Sequence, residues 1–344
     1  MGIPIPTRPP CARRDPMQAI TYRRYGPPEV LRLEDVPIPT LAANDVLIKV
    51  RAASVNPFDW HFMRGTPYGV RIIAGLSKPR LPQLGADVAG EVEAVGAKVN
   101  NFKPGDLVFG MARGAYAEYA CAKESNLAIK PENISFDQAA SVPIAACTAL
   151  IALRDKGHIQ SSHQVLVNGA SGGVGTFGVQ LAKAFGAHVT GVTSTRNLEL
   201  VSSIGADHVI DYTQKNFTED SGQYDLILDA VGNHPISALK RVLKPNGVCV
   251  SAGGTTDDWM LRPIAHTLHS LLISTISDRK FVGVLGNTST ANLATIADLM
   301  QSGKVTPVID RSYPLSQVPE AIRYLEAGHA RGKVIITITP GTHA

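Results

Sequence analysis

The stretch Asn168-Gly169-Ala170-Ser171-Gly172-Gly173-Val174-Gly175 constrains this chain more than any other part of it. The apolar run Gln164-Val165-Leu166-Val167 leads into it, and Val174 to Phe185 follows with apolar residues at helical spacing. A strand that enters a tight turn and then a helix leaves free N–H groups at the helix start, where the helix dipole favours an anion. Small residues there let the backbone approach a pyrophosphate. The spacing Ala170-x-Gly172-x-x-Gly175 has alanine at the usual first glycine, so the strand–turn–helix context carries the reading rather than the motif alone. The expectation is a dinucleotide bound by Ala170, Ser171, Gly172, Gly173, Val174 and Gly175. A tight turn without a ligand is the bland alternative.

The rest of the chain falls into two kinds of pattern. From Ala19 to Ala122, short alternating segments such as Asp45 to Arg51 and Gly90 to Val95 are broken by turns, which predicts a β-rich unit. After Pro143, strand-like runs alternate with helical stretches: Gln164–Val167, His188–Val192, His208–Ile210, Tyr224–Leu228, Gly247–Val250 and Lys280–Val284. Such β-α-β repetition predicts an α/β doubly wound parallel sheet with helices on both faces. Beyond Gly303 come a helix over Val318 to Glu326 and an alternating strand over Lys333 to Ile338, which has no β-α-β partner after it. That strand is expected to return to the first unit, so the nucleotide domain interrupts the β-rich one.

Composition narrows the function classes. Charged residues make up 18% of the chain and the net charge of +4 is thinly spread, so a nucleic-acid surface is not expected. The best apolar run, Leu268 to Ile276, is short and interrupted by His269, Ser270, Ser274 and Thr275, well below the roughly 18 to 20 residues of a membrane span. Cys11, Cys121, Cys147 and Cys249 form no C-x-x-C pair, which suits reduced thiols in the cytoplasm. Residues 1–16, rich in Pro and Arg, are expected to form a disordered extension.

Cofactor choice turns on the end of the second strand. Nicotinamide sites that prefer NAD carry an acid there for the ribose 2′-hydroxyl. Here Thr193 is followed by Ser194, Thr195, Arg196 and Asn197, with no acid before Glu199. Ser194, Thr195 and Arg196 suit a 2′-phosphate, which favours NADPH. Capping of the following helix is compatible with the same residues.

The turn G-A-S-G-G-V-G (169–175), the segment A-A-S-V-N-P-F-D (52–59) and the closing G-K-V-I-I-T-I (332–338) together resemble the medium-chain dehydrogenase/reductase superfamily, within it the zinc-free quinone oxidoreductase branch. The resemblance implies a GroES-like catalytic domain from residues 17–145 and 287–344 and a Rossmann NADP-binding domain from 146–286. It also implies a homodimer. The zinc alcohol dehydrogenases of this superfamily have Cys where this chain has Asn56, and Gly-His-Glu where it has Gly85-Ala86-Asp87. Both departures remove zinc ligands, so no metal is expected, and the lone imidazole of His61 does not make a site.

Without a Lewis acid, a conjugated acceptor is the more tractable one, because the charge left by hydride delocalises. The resemblance places Asn56 beside the nicotinamide, as a hydrogen-bond donor to the developing oxygen, and makes Asp59 a structural partner of its own loop. It points to Tyr68 as a proton donor, with an aromatic pocket wall as the alternative. Thr148 is implied near the nicotinamide, Tyr212 near the adenosine phosphate, and Gly254 beside the cofactor. Residues 255–279 suggest an amphipathic helix that covers the pocket, lines a dimer interface or fills core. The expected activity is NADPH-dependent reduction of a quinone or activated alkene. A metal-free alcohol or carbonyl dehydrogenase and a non-catalytic, crystallin-like NADPH-binding protein are the alternatives.

Overall fold

In the computed structural model, which describes residues 16–219, 223–253, 278–284 and 286–339, the alternation after residue 160 builds a six-stranded parallel sheet. Its spatial order is His208–Asp211, His188–Thr193, Gln164–Asn168, Tyr224–Asp229, Leu243–Ser251 and Lys280–Gly283, all neighbours parallel. Numbered along the chain this is 3-2-1-4-5-6, the order of a dinucleotide fold with its switch point beside the first strand. The central strands need apolar residues on both faces because helices cover both. Val165, Leu166 and Val167, and Leu226, Ile227 and Leu228, are all fully buried. The helix after the first strand spans Gly173–Ala184.

The β-rich unit is built around the long strand Asp45–Val55. It pairs with Asp87–Val95 along its length, with Tyr119–Lys123 at its start and with Lys333–Thr337 at its end, antiparallel in each case. The sheet continues through Leu107–Met111 to Leu127–Ile129 on one side and Ile309–Pro314 on the other. The last strand therefore does return to the first unit, with Val334 facing Val55 and Thr337 facing Ala52. The helix Val318–Glu326 has the expected bounds, with Pro319 in its first turn.

The two units share one core. Ala52, Ala89 and Phe109 from the β-rich unit cluster with Val165, Leu226 and Val250 from the parallel sheet. The joint is the helix Pro143–Leu150, which is nearly all buried and runs on through a wider turn to Lys156. It crosses residue 145, where the sequence divides the chain. Gly254 and nearly all of 255–279, like the extension over 1–15, fall outside the described residues.

Candidate active site

The glycine-rich turn is held open from within. Gly169 has φ +80°, a backbone conformation that glycine adopts without strain. Gly172 caps the helix start with extended backbone, and no side chain caps the first turn. A Cβ on Gly175 would overlap the Gly169 carbonyl, so that glycine closes the turn. By contrast, a Cβ on Gly172 would meet only Gly169 O, at 3.4 Å, which leaves its outer side open to a ligand. The Ser171 hydroxyl accepts from Thr193 Oγ1 (2.8 Å) and Asn197 Nδ2 (3.1 Å), tying the turn to the end of the second strand. Ala170 is fully buried and its N–H bonds Val192 O at 3.0 Å. There alanine is a packing residue.

At the end of the second strand the predicted phosphate residues lie together. Ser194 Oγ accepts from Asn197 Nδ2 at 3.2 Å, and Tyr212, largely exposed, donates its backbone N–H to Thr193 O at 3.0 Å. Arg196 is exposed and uses one amino group on the carbonyl of His329, at 2.9 Å. Sequence reasoning missed Asp211 here. It accepts from the Thr195 hydroxyl at 2.6 Å, which with the Thr213 bonds holds its carboxyl below the usual range. The 3-2-1 order puts the end of the third strand beside the end of the second, which is the signal that would have found it.

Across from the turn, Asn56 sits at the start of the helix Pro57–Arg64 and is 1% exposed. Pro57 opens that helix, and Asp59 Oδ2 reaches back to the Asn56 N–H at 2.8 Å. The Asn56 amide gives its protons to Asp87 Oδ2 (2.9 Å) and Ser54 O (3.3 Å), and its oxygen accepts from Lys333 Nζ at 2.5 Å. An amide has two N–H donors, and both are spent inside the protein. The direct donation expected of Asn56 therefore has no free N–H to carry it in this geometry. Asp87 also accepts from Ser54 Oγ (2.9 Å) and Ile144 N (3.0 Å), and lies 3.6 Å from Lys333 Nζ.

This cluster is wholly interior. Burial pushes Asp87 up and Lys333 down, while their mutual attraction opposes both shifts. Burial likewise pushes Asp59 up to about 7, although the Asn56 N–H and the Tyr116 hydroxyl favour its charged form. Sequence reasoning found Asn56 and Asp59 but missed Asp87 and Lys333 as their partners.

The remaining candidates are more dispersed. Thr148 is buried on the joint helix, and a Cβ on Gly286 would stand 2.5 Å from its hydroxyl. Tyr68 is half exposed before the short helix Gly69–Ala74, with the Arg71 guanidinium 4.5 Å from its ring centre. His61 Nδ1 bonds Thr66 O at 2.7 Å, and burial lowers its pKa. Burial pushes the Cys147 thiol up to about 12 and Cys249 well above its usual value, so both are inert core residues. Among the described residues, no three His, Cys, Asp or Glu side chains are grouped so as to hold a metal ion, and no helix is long and apolar enough to cross a membrane.

Comparison with known proteins gives the same architecture a family. Residues 42–132 match the alcohol dehydrogenase GroES-like domain, and residues 204–336 match the zinc-binding dehydrogenase family. The chain is 36% identical over 334 residues to the chloroplast envelope quinone oxidoreductase homolog of Arabidopsis thaliana, covering 93% of this chain and 98% of that protein. It is 37% identical over 339 residues to 2-methylene-furan-3-one reductase of Solanum lycopersicum, covering 94% and 80%. The solved quinone oxidoreductase from Coxiella burnetii superposes with a TM-score of 0.82 at 34% identity, covering 94% and 99%. The chain belongs to the medium-chain dehydrogenase/reductase superfamily, as an oxidoreductase of its quinone oxidoreductase branch.

Proposed function

We propose that this chain is an NADPH-dependent, zinc-independent reductase that passes hydride to a quinone or an α,β-unsaturated carbonyl. The observation that carries the reading is the uncapped helix start, open on its outer side at Gly172 and lined by Lys333 at Gly173. NADPH, when bound, supplies the hydride. The N–H groups of the first helical turn would take its pyrophosphate, and Ser194, Thr195 and Arg196 its 2′-phosphate. Arg196 can turn toward a phosphate because its bond among the described residues is to an exposed backbone carbonyl.

A zinc ion does not suit the Asn56 cluster, because the Lys333 ammonium already fills the space between Asn56 and Asp87. Two cations at one place repel. With both amide protons committed, Asn56 shapes the loop beside the nicotinamide, and the product's proton comes from Tyr68 or water. The exposed apolar side chains of Phe58, Tyr68, Ile72 and Ile73 follow directly on this loop and suit an apolar acceptor. A homodimer in a reducing compartment such as the cytoplasm goes with this reading. Among the described residues Cys121, Cys147 and Cys249 are buried free thiols, which suits such a compartment.

NADPH oxidation against a panel of quinones, enones, aldehydes and simple ketones tests the proposal. Turnover with the conjugated acceptors, unchanged by a zinc chelator, is the expected result. Consumption only with aldehydes or simple ketones, or with no acceptor, would overturn it. The Arg196→Ala variant tests the cofactor separately. Loss of one charged partner for the 2′-phosphate should raise the NADPH dissociation constant about tenfold and leave NADH within about twofold. An unchanged ratio of the two constants refutes the assignment.

A further inference from the structure

Lys333 is a charged residue that opens the strand Lys333–Thr337, ahead of Val334, Ile335 and Ile336, and its side chain is 3% exposed. Burying an ammonium is unfavourable unless its protons find oxygens, and an apolar side chain could fill the same space. Its surroundings explain its presence. Gly332, with φ +89°, donates its N–H to Ser171 O at 2.8 Å and forms a parallel bridge with Gly172. The Lys333 chain then runs past the helix start, its Cδ 3.2 Å from where a Cβ on Gly173 would stand. Its Nζ ends on Asn56 Oδ1 at 2.5 Å, Val55 O at 3.5 Å and Asp87 Oδ2 at 3.6 Å. Asp87 in turn holds Ile144 N, at the start of the helix that carries Thr148.

We infer that Lys333 is a positioning residue that sets the Asn56 loop in register with the nucleotide turn, so that occupation of the turn orders the loop beside the nicotinamide. One side chain lies against the pyrophosphate end of the site and terminates on its hydride-transfer end. The three ammonium protons match three oxygens, two of them on the Val55–Asn56 segment. A shift of the turn is therefore passed to the Asn56 side chain through one buried side chain. Lys333 does not reach the reacting atoms itself, and its effect passes through Asn56. The inference rests on the proposal that the turn binds NADPH.

Amide hydrogen exchange, read with and without NADPH, tests this independently of turnover. In the unmodified protein NADPH should slow exchange about tenfold both at residues 172–176 and at residues 55–59. In Lys333→Met the first protection should persist and the second should disappear. That variant should also lose kcat about ten- to a hundredfold with the NADPH dissociation constant nearly unchanged. Asn56→Ala, which keeps the Lys333–Asp87 pair, provides a second route should Lys333→Met not fold, and should show the same loss of protection at 55–59. If Lys333 acts through Asn56, the double variant should be no slower than the slower single one. Protection at 55–59 that survives in the variants, or rate losses that multiply, overturns the inference while NADPH binding stands. No binding of NADPH by the unmodified protein overturns the functional reading as well, which separates the two failures.

Discussion

Asp87→Ala is expected to lower the free energy of unfolding by about 3–5 kcal/mol. Asp87 is fully buried and accepts from Ser54, Asn56 and Ile144 as well as pairing with Lys333. Alanine leaves three donors without an acceptor and an ammonium without its counter-ion, in a place from which solvent is excluded. Breaking a buried pair from one side is far more damaging than removing both partners. The double variant Asp87→Ala/Lys333→Met should therefore recover part of the loss. Equilibrium denaturant unfolding, with the slope checked for constancy, reads both changes. A loss under about 1 kcal/mol in the single variant would show that water replaces the carboxylate at no great penalty, and the cluster would then not be a structural hub.

Asp59→Asn is expected to change how stability depends on pH. Asp59 has its folded-state pKa pushed up to about 7, from an ordinary value of 3.8, chiefly by burial. Between those two values the folded protein holds a proton that the unfolded chain releases. Stability from this group is thus fully present below about pH 4, falls as pH rises toward 7, and is level above it. The full penalty is on the order of 4 kcal/mol. Asparagine keeps an oxygen for the Asn56 N–H and has no proton to lose. The variant should therefore gain on the unmodified protein between pH 5 and pH 8. Unfolding midpoints of both proteins at the two pH values test this, and a constant difference would show that Asp59 stays ionised in the fold.

How far the sequence goes is clear from these same residues. The parallel sheet and its glycine turn are legible because their signals are local: apolar runs, a turn, a helical period within about twenty residues. Lys333–Thr337 could be assigned to the first unit because it is an alternating strand without a β-α-β partner. The Asn56 cluster is different. Asn56 and Lys333 are 277 positions apart, and Asp87 lies on a third segment, so no spacing rule joins them. Within its strand, Lys333 looks like one polar residue beginning an alternating run, although it is as buried as its apolar neighbours. The role expected of Asn56 changed for the same reason. A motif identifies the amide, whereas only three-dimensional neighbours show which of its protons are free. Asp211 was missed because strand order, unlike strand existence, is set by packing.

The strand Asp45–Val55 finds partners in Asp87–Val95, nearby along the chain, and in Lys333–Thr337, almost at its end. On the ribosome these arrive at very different times. The six strands of the parallel sheet all lie between Gln164 and Gly283 and can pair while synthesis continues. The segment before them must wait, the Ala52–Val55 end of its longest strand unpaired on one side, until Lys333–Thr337 has left the exit tunnel. Exposed strand edges recruit other chains. The order of synthesis thus makes the first-made half of this protein the last to become safe from aggregation.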